Sequence, residues 1–158
     1  MRDAFGGAFM IRLLILFIVI YVGFTAIALN YAKAFKVKNK VITYIEENEI
    51  TDIRNMSAEA YNNMNTYFQE ELVEGMNYKY GIKCPNDKYL YDYCDNGILI
   101  IPSDSTGKNK EGTYYTVTTT FGWEIPFLNV LLRLNSQDGD VASGYWTITG
   151  ETRPIVNK

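Results

Sequence analysis

The stretch that decides the fold is Ala8-Phe-Met-Ile-Arg12-Leu13-Leu-Ile-Leu-Phe17-Ile-Val-Ile-Tyr21-Val-Gly-Phe24-Thr-Ala-Ile-Ala-Leu29-Asn30, followed by the lysine-rich run Tyr31–Lys40 and then by Val41, Ile42 and Ile45. Between Leu13 and Leu29 there are 17 residues with no charge, no Asn or Gln and no Pro. As a helix they extend about 25 Å at a rise of about 1.5 Å per residue. With Ala8, Phe9 and Met10 beyond Arg12, the segment is long enough to span a bilayer. In hydrocarbon each backbone donor and acceptor must find its partner within the segment, which predicts a helix. A signal peptide would have a shorter apolar region ending at small residues, whereas this one runs into Asn30-Tyr31-Ala32-Lys33. A buried helix of a soluble domain would carry a polar stripe, and this one is apolar all round.

Downstream of the span the same period continues in weaker form. Ala34, Phe35, Val37, Val41, Ile42 and Ile45 recur at helical spacing, with Lys33, Lys36, Lys38 and Lys40 filling the other face. The reading is one nearly continuous helix of roughly 40 residues, about 60 Å long. Its membrane part includes Leu13, Phe17, Tyr21, Phe24 and Leu29. Tyr21 and Tyr31 are placed to act as interfacial aromatics. The apolar face of Phe35, Val41, Ile42 and Ile45 must pack on something, either its own domain or neighbouring subunits as an assembly face.

Residues 51–158 then form one domain, set apart from a leader (1–7), a span (8–30) and an amphipathic extension (31–50). Roughly 128 residues beyond the span suffice for one modest core. Ser57 is an N-cap candidate for a second helix, Ala58–Glu74, with the stripe Ala60, Tyr61, Met64, Tyr67, Phe68 and Leu72 and a stop at Gly75. From Tyr78 the period changes to that of strands. Tyr78–Tyr80 and Tyr89–Tyr93 are aromatic-rich strand candidates. Asp95-Asn96-Gly97 is a hairpin turn, and Ile98–Ile101 is a strand ended by Pro102. Thr113–Phe121 is β-branched and aromatic throughout and reads as a strand broken by Gly122. Trp123–Leu134 reads either as an apolar crossing with a short helix near Pro126 or as an interrupted edge strand. Val141–Val156 is the last strand region, with Tyr145–Thr149 at its centre and Gly150 at a possible bulge position. The fold class is α+β: a long amino-terminal helix, a second helix and a small antiparallel sheet.

Charge and composition limit the function. The chain has 15 basic and 18 acidic residues and a net charge of −3. The lysines crowd between positions 33 and 40, and no basic groove with aromatic platforms follows, so nucleic acid is not an expected partner. The chain has no His, which removes the commonest general base. Ser103 and Ser105 have no identifiable base. Glu70-Glu71 falls on a helix face. Asp138-Gly139-Asp140 offers oxygen ligands but lacks the fuller series of a calcium loop. Thr106-Gly107-Lys108 lacks the spaced glycines and following helix of a phosphate loop. No catalytic residue, metal or cofactor is expected, and the chain is not read as an enzyme.

Cys84 and Cys94 are the only cysteines. They lack zinc-site spacing, and two alternatives remain, a disulfide closing a short loop or two free buried thiols. A disulfide would place the domain on the oxidising side of the membrane. Four lysines just after the span argue for the opposite orientation by the positive-inside rule. The composition of the domain, rich in Tyr, Thr and Asn, sides with the cysteines, and an extracytoplasmic location is the expectation.

Met1–Gly7 ends in Gly6-Gly7 ahead of the hydrophobic helix. This layout resembles the class III leader of type IV pilin-like proteins, which implies cleavage between Gly7 and Ala8. The fifth residue would then be Arg12, where such proteins usually carry Glu. At the other end stand a Thr-rich strand (Tyr115–Phe121), the apolar link Ile125-Pro126-Phe127-Leu128, and Trp146-Thr-Ile-Thr-Gly-Glu-Thr-Arg153. Together these resemble the TadE/TadG-like pseudopilins. That resemblance implies a minor pilin or pilus-assembly component, with the lipid bilayer and other pilin-like subunits as partners.

Overall fold

The structure, a computed structural model, describes residues 2–78, 84, 90–103, 112–124 and 143–155. Helix α1 runs from Arg2 to Glu47, 46 residues in one element, or about 69 Å. It therefore includes Arg2–Gly7, so the leader is helical and no break occurs at Gly6-Gly7. Asn48–Ile50 close the helix, with the Ile50 amide donating to the Ile45 carbonyl at 3.1 Å.

Thr51–Ser57 separate α1 from the second helix. Asp52 accepts from the Arg54 and Asn55 amides at 3.0 and 3.2 Å and from the Asn55 side chain at 2.7 Å, an Asx-type turn. Its carboxyl is held below the usual range chiefly by the Asn55 side-chain hydrogen bond. Helix α2 spans Ala58–Thr66. Its first turn is capped by Ser57, whose Oγ accepts from the Ala60 amide at 3.2 Å.

At Tyr67 the helix widens. Tyr67–Glu74 is a π-helix, here α3, in which each carbonyl is reached from five residues on. Sequence periodicity predicted one α-helix over the whole of 58–74. The widening lets the adjacent residues Leu72 and Val73 both enter the core beside Phe68. Gly75 ends it, though not through a left-handed conformation, since its φ is −60°. A Cβ there would lie 2.7 Å from the Glu71 carbonyl oxygen, so the residue is fixed by close approach.

Four antiparallel strands follow in spatial order β1-β2-β3-β4: β1 Tyr93–Asp95, β2 Ile98–Ser103, β3 Tyr114–Glu124 and β4 Ser143–Glu151. Asn96 and Gly97 take φ of 45° and 75°, the conformation of the tight turn that their sequence announces. Three expectations about strand ends are corrected. Pro102 does not end β2 but pairs with Tyr115. This is possible because β1 reaches only as far as Ile100 along β2, so the missing Pro102 N–H lies on an open edge. Gly122 does not break β3 but pairs with Tyr145. Gly150 is no bulge, pairing regularly with Val117. Its missing side chain instead admits α1, since a Cβ there would lie 3.1 Å from Ile42 Cδ1 and 3.0 Å from Lys38 Nζ. Of the strands read at Tyr78–Tyr80 and Tyr89–Tyr93, Tyr78 instead closes the end of α3, its amide donating to the Val73 carbonyl at 2.9 Å, and residues 90–92 precede a strand that begins only at Tyr93; residues 79–80 and 89, the crossing beyond Glu124 and the Asp138–Asp140 loop lie outside the described residues.

The core lies between one face of this sheet and the helices. Val117, Phe121, Ile98, Ile100 and Tyr93 face Ala34, Val37, Val41 and Ile45 of α1 and Met64, Phe68 and Leu72 of α2–α3. Burying each such side chain is worth about 1.5–3 kcal/mol. The opposite face of β3 and β4 carries threonines, with Thr118 and Thr149 hydroxyls 3.2 Å apart. Two buried tyrosines tie the layers together. The Tyr115 hydroxyl accepts from the Ile53 amide at 3.2 Å, and the Tyr78 hydroxyl donates to the Thr120 carbonyl. Burial pushes both phenols up to about 12, and it raises Tyr93 as well.

Candidate functional site

The site worth examining is α1 itself, because its two halves have different surroundings. In the half nearer the carboxyl end, Ala34, Val37, Val41 and Ile45 are buried at spacings of three and four. Three of the four side chains read as an assembly face are thereby drawn into the domain, Val41 and Ile45 fully and Ile42 partly. Of the two packings left open, own domain or neighbouring subunits, the first holds for these three. Only Phe35 remains outward, with its ring 4.5 Å from Lys38 Nζ.

In the other half nothing comparable among the described residues covers the helix. Leu13, Phe17, Tyr21, Phe24 and Leu29 are all exposed, Phe17 by 64% and Phe24 by 68%. Phe9 through Val19 are exposed without interruption, on every face of the helix. Ile20, Gly23, Ile27 and Asn30 are half-buried, continuing the stripe of Ala34 and Val37 upward at the same spacing. The Thr25 hydroxyl in this half is satisfied internally, its Oγ1 donating to the Tyr21 carbonyl at 2.9 Å. This helix is long and apolar enough to cross a membrane. A contiguous apolar surface of such extent is far beyond what a soluble monomer exposes.

Between the halves lies an aromatic junction that the sequence reading did not identify. Thr119 Oγ1 donates to the Ala34 carbonyl at 3.1 Å, fixing β3 against the helix. About one helical turn nearer the span, the Tyr31 ring meets Phe121 edge-on at 5.9 Å and stacks on Phe35 at 6.5 Å. Phe121 in turn meets Trp146 edge-on at 5.7 Å. Lys33 Nζ donates to the Asn77 carbonyl at 3.2 Å. No sequence signal marks this junction, because the pairing of Phe121 with Trp146 is a matter of sheet register.

Cys84 and Cys94 are joined by a disulfide with Cα atoms 5.8 Å apart. The free-thiol alternative is thereby set aside. Next to it in sequence, Asp92 forms an ion pair with Arg54. Burial raises the Asp92 carboxyl and Arg54 opposes that shift, so the pair is a joint between the Asp52 turn and β1. Among the described residues no three His, Cys, Asp or Glu side chains stand together as a metal site. Gly7 and Ala8, where the leader would be cut, are exposed helical residues.

The class these features define is an α+β protein built on one membrane-length amino-terminal helix. Comparison with protein-family models, with curated proteins and with solved structures returns no match.

Proposed function

We propose that this protein is a non-enzymatic, pilin-like subunit anchored by its amino-terminal helix, with its α+β domain outside the cytoplasmic membrane, acting in assembly of a pilus or secretion apparatus. The observation that carries this reading is the continuity of α1. One unbroken helix supplies both an apolar rod exposed around most of its circumference and the stripe on which a four-stranded antiparallel sheet is mounted. A rod of that kind can be held in lipid and then exchanged for contact with the rods of neighbouring subunits, because both surroundings are apolar. The disulfide supports the outer location, since such bonds persist in oxidising compartments.

A second reading is favoured by a specific pair of observations. Arg12 lies within the apolar half, and Val41 and Ile45 are already used by the domain's own core. These fit a permanent anchor bearing an accessory or adhesive domain that binds a partner without entering a filament. Fractionation separates the two. Cells carrying a carboxyl-terminal epitope are sheared, and the recovered chain is sequenced from its amino terminus. The pilin-like reading expects chain beginning at Ala8 in the sheared fraction, lost when Gly7→Leu blocks processing. Full-length chain confined to the membrane would overturn it in favour of the anchored accessory.

A further inference from the structure

We propose that Arg12 lies deep in the bilayer and forms an ion pair there with a carboxylate on the membrane helix of a different protein. The inference concerns the full chain held in a membrane and rests on that placement of α1, which both readings above share.

The depth follows from how far the sheet extends along α1. β3 runs antiparallel to the helix, with Thr119 at Ala34 and Phe121 at Tyr31. Its backbone continues three residues past Phe121 to Glu124, which pairs with Ser143. Three strand residues extend about 10 Å. That equals about seven helical residues, so the end of the sheet lies near the level of Phe24. Burial along the helix agrees. Ile27 packs against the core cluster, and Gly23 and Ile20 are half-buried at the same spacing. A charged residue at the end of β3 needs water or headgroups at that level. The hydrocarbon therefore starts near Gly23 and not at Leu29, and Phe24–Leu29 lie beside the domain.

A hydrocarbon layer of about 30 Å takes about 20 helical residues. Counted back from Gly23 they reach Ala4, with Arg2 and Asp3 just beyond. The helix is continuous over this stretch, since α1 begins at Arg2. Arg12 is the only charged residue between Ala4 and Gly23. It stands about 12 Å from the first and about 17 Å from the second. Snorkelling relieves a charge near a helix end, and Arg12 is more than two turns from either boundary.

A charge at that depth is held by an opposite charge. Arg12 is exposed, and among the described residues the ion pair is Arg54–Asp92, with no carboxylate at Arg12. The chain's own span contains no acid, and Asp3 is about 13 Å away along the helix. A second copy in the same orientation would bring another arginine to the same depth, so like charge excludes it as the partner. The occupant is a membrane helix of another protein with Asp or Glu near its middle, whose two oxygens match the paired donors of a guanidinium. Arg12, Leu16, Ile20, Gly23 and Ile27 recur at spacings of three and four, so that helix lies on the side of α1 that carries the domain.

Two measurements on the full chain in phosphatidylcholine vesicles test the proposal. Leu13→Trp and Val19→Trp are compared for quenching by lipids brominated at graded depths, the unsubstituted chain supplying the signal of Trp123 and Trp146 for subtraction. Position 13 is expected to be the deeper. Position 19 the deeper would put Arg12 near the end of the span and overturn the inference while leaving the anchor intact. No quenching at either would overturn the membrane reading as well. For the pairing, the chain carries a carboxyl-terminal donor dye, and the probe is an acceptor-labelled synthetic leucine–alanine membrane helix with one central Glu. Energy transfer should be several-fold greater than to the same helix with Gln, and Arg12→Leu should abolish the difference. Equal transfer to the two helices, or a difference that survives Arg12→Leu, would overturn the proposal.

Discussion

Residues 9–29 and 34–45 belong to one helix and both carry large aliphatic side chains, yet their environments are opposite. Val37, Val41 and Ile45 are fully enclosed by the sheet and by α3, while Phe9, Phe17 and Phe24 are each more than half exposed. The difference teaches that apolarity alone does not define a core. In the lower half the apolar residues form a stripe, with Lys36 and Lys40 outside it and Lys38 buried at its edge against Gly150, so one protein surface satisfies the helix. In the upper half the apolar residues go round the circumference, and no single sheet can cover them. Only an apolar solvent, or several neighbouring helices, can.

The sharpest way to break this comparison is to make the same kind of change in both halves. Ile45→Ala leaves a cavity in the core and should cost the domain about 2–5 kcal/mol. Leu16→Ala should leave the domain's urea midpoint where it was. Equal shifts in the two would mean that the upper half is part of the folded core.

The reverse contrast follows from charge. Phe17→Arg near the middle of the apolar run should oppose membrane insertion by about 3 kcal/mol. The expected outcome is a lower fraction of chain resisting alkaline carbonate extraction, with no loss of domain stability in detergent. Arg substituted for Phe35, already outward beside Lys38, should alter neither measurement appreciably.

In the sheet domain, replacing Cys84 and Cys94 by Ser opens the short loop they close and should lower domain stability by about 2–3 kcal/mol. Membrane retention should be unchanged, since the disulfide is in the domain and not at the span. Reduction of the native chain, followed by urea unfolding, checks the same quantity without substitution.

The smallest expected effect concerns pH. Tyr78 and Tyr115 are raised by burial from 10.0 to about 12, so the folded domain holds phenolic protons that the unfolded chain releases. Their stabilising share is complete below pH 10, falls as the pH rises, and is lost by about 12. A urea midpoint followed through that window should decline, and less steeply in Tyr115→Phe.

How far this was legible from the sequence differs between regions for physical reasons. The membrane-length helix and the capping role of Ser57 were readable because each depends on local chemistry. So was the Asn96-Gly97 turn, whose residues supply the positive φ it needs. The α+β layout followed from the change of period near Tyr78. The strand ends were not readable at Pro102 or Gly122, because whether Pro or Gly interrupts a strand depends on which neighbour is present. The π-helical widening at Tyr67 was hidden, since it responds to the core that Leu72 and Val73 must both reach. The destination of Val41, Ile42 and Ile45 was equally undetermined, for an amphipathic stripe states that it needs a partner without stating which. The Tyr31–Phe121–Trp146 junction joins three elements distant in sequence, and only the fold brings them together.

The central claim, an anchor in the bilayer with the disulfide-bonded domain outside, is tested most directly by thiol accessibility in intact cells. Membrane-impermeant maleimide is applied with and without a membrane-impermeant reductant, and again after permeabilisation. The account predicts that Cys84 and Cys94 label in intact cells only after reduction. Free thiols that label solely after the membrane is opened would put the domain in the cytoplasm and contradict it.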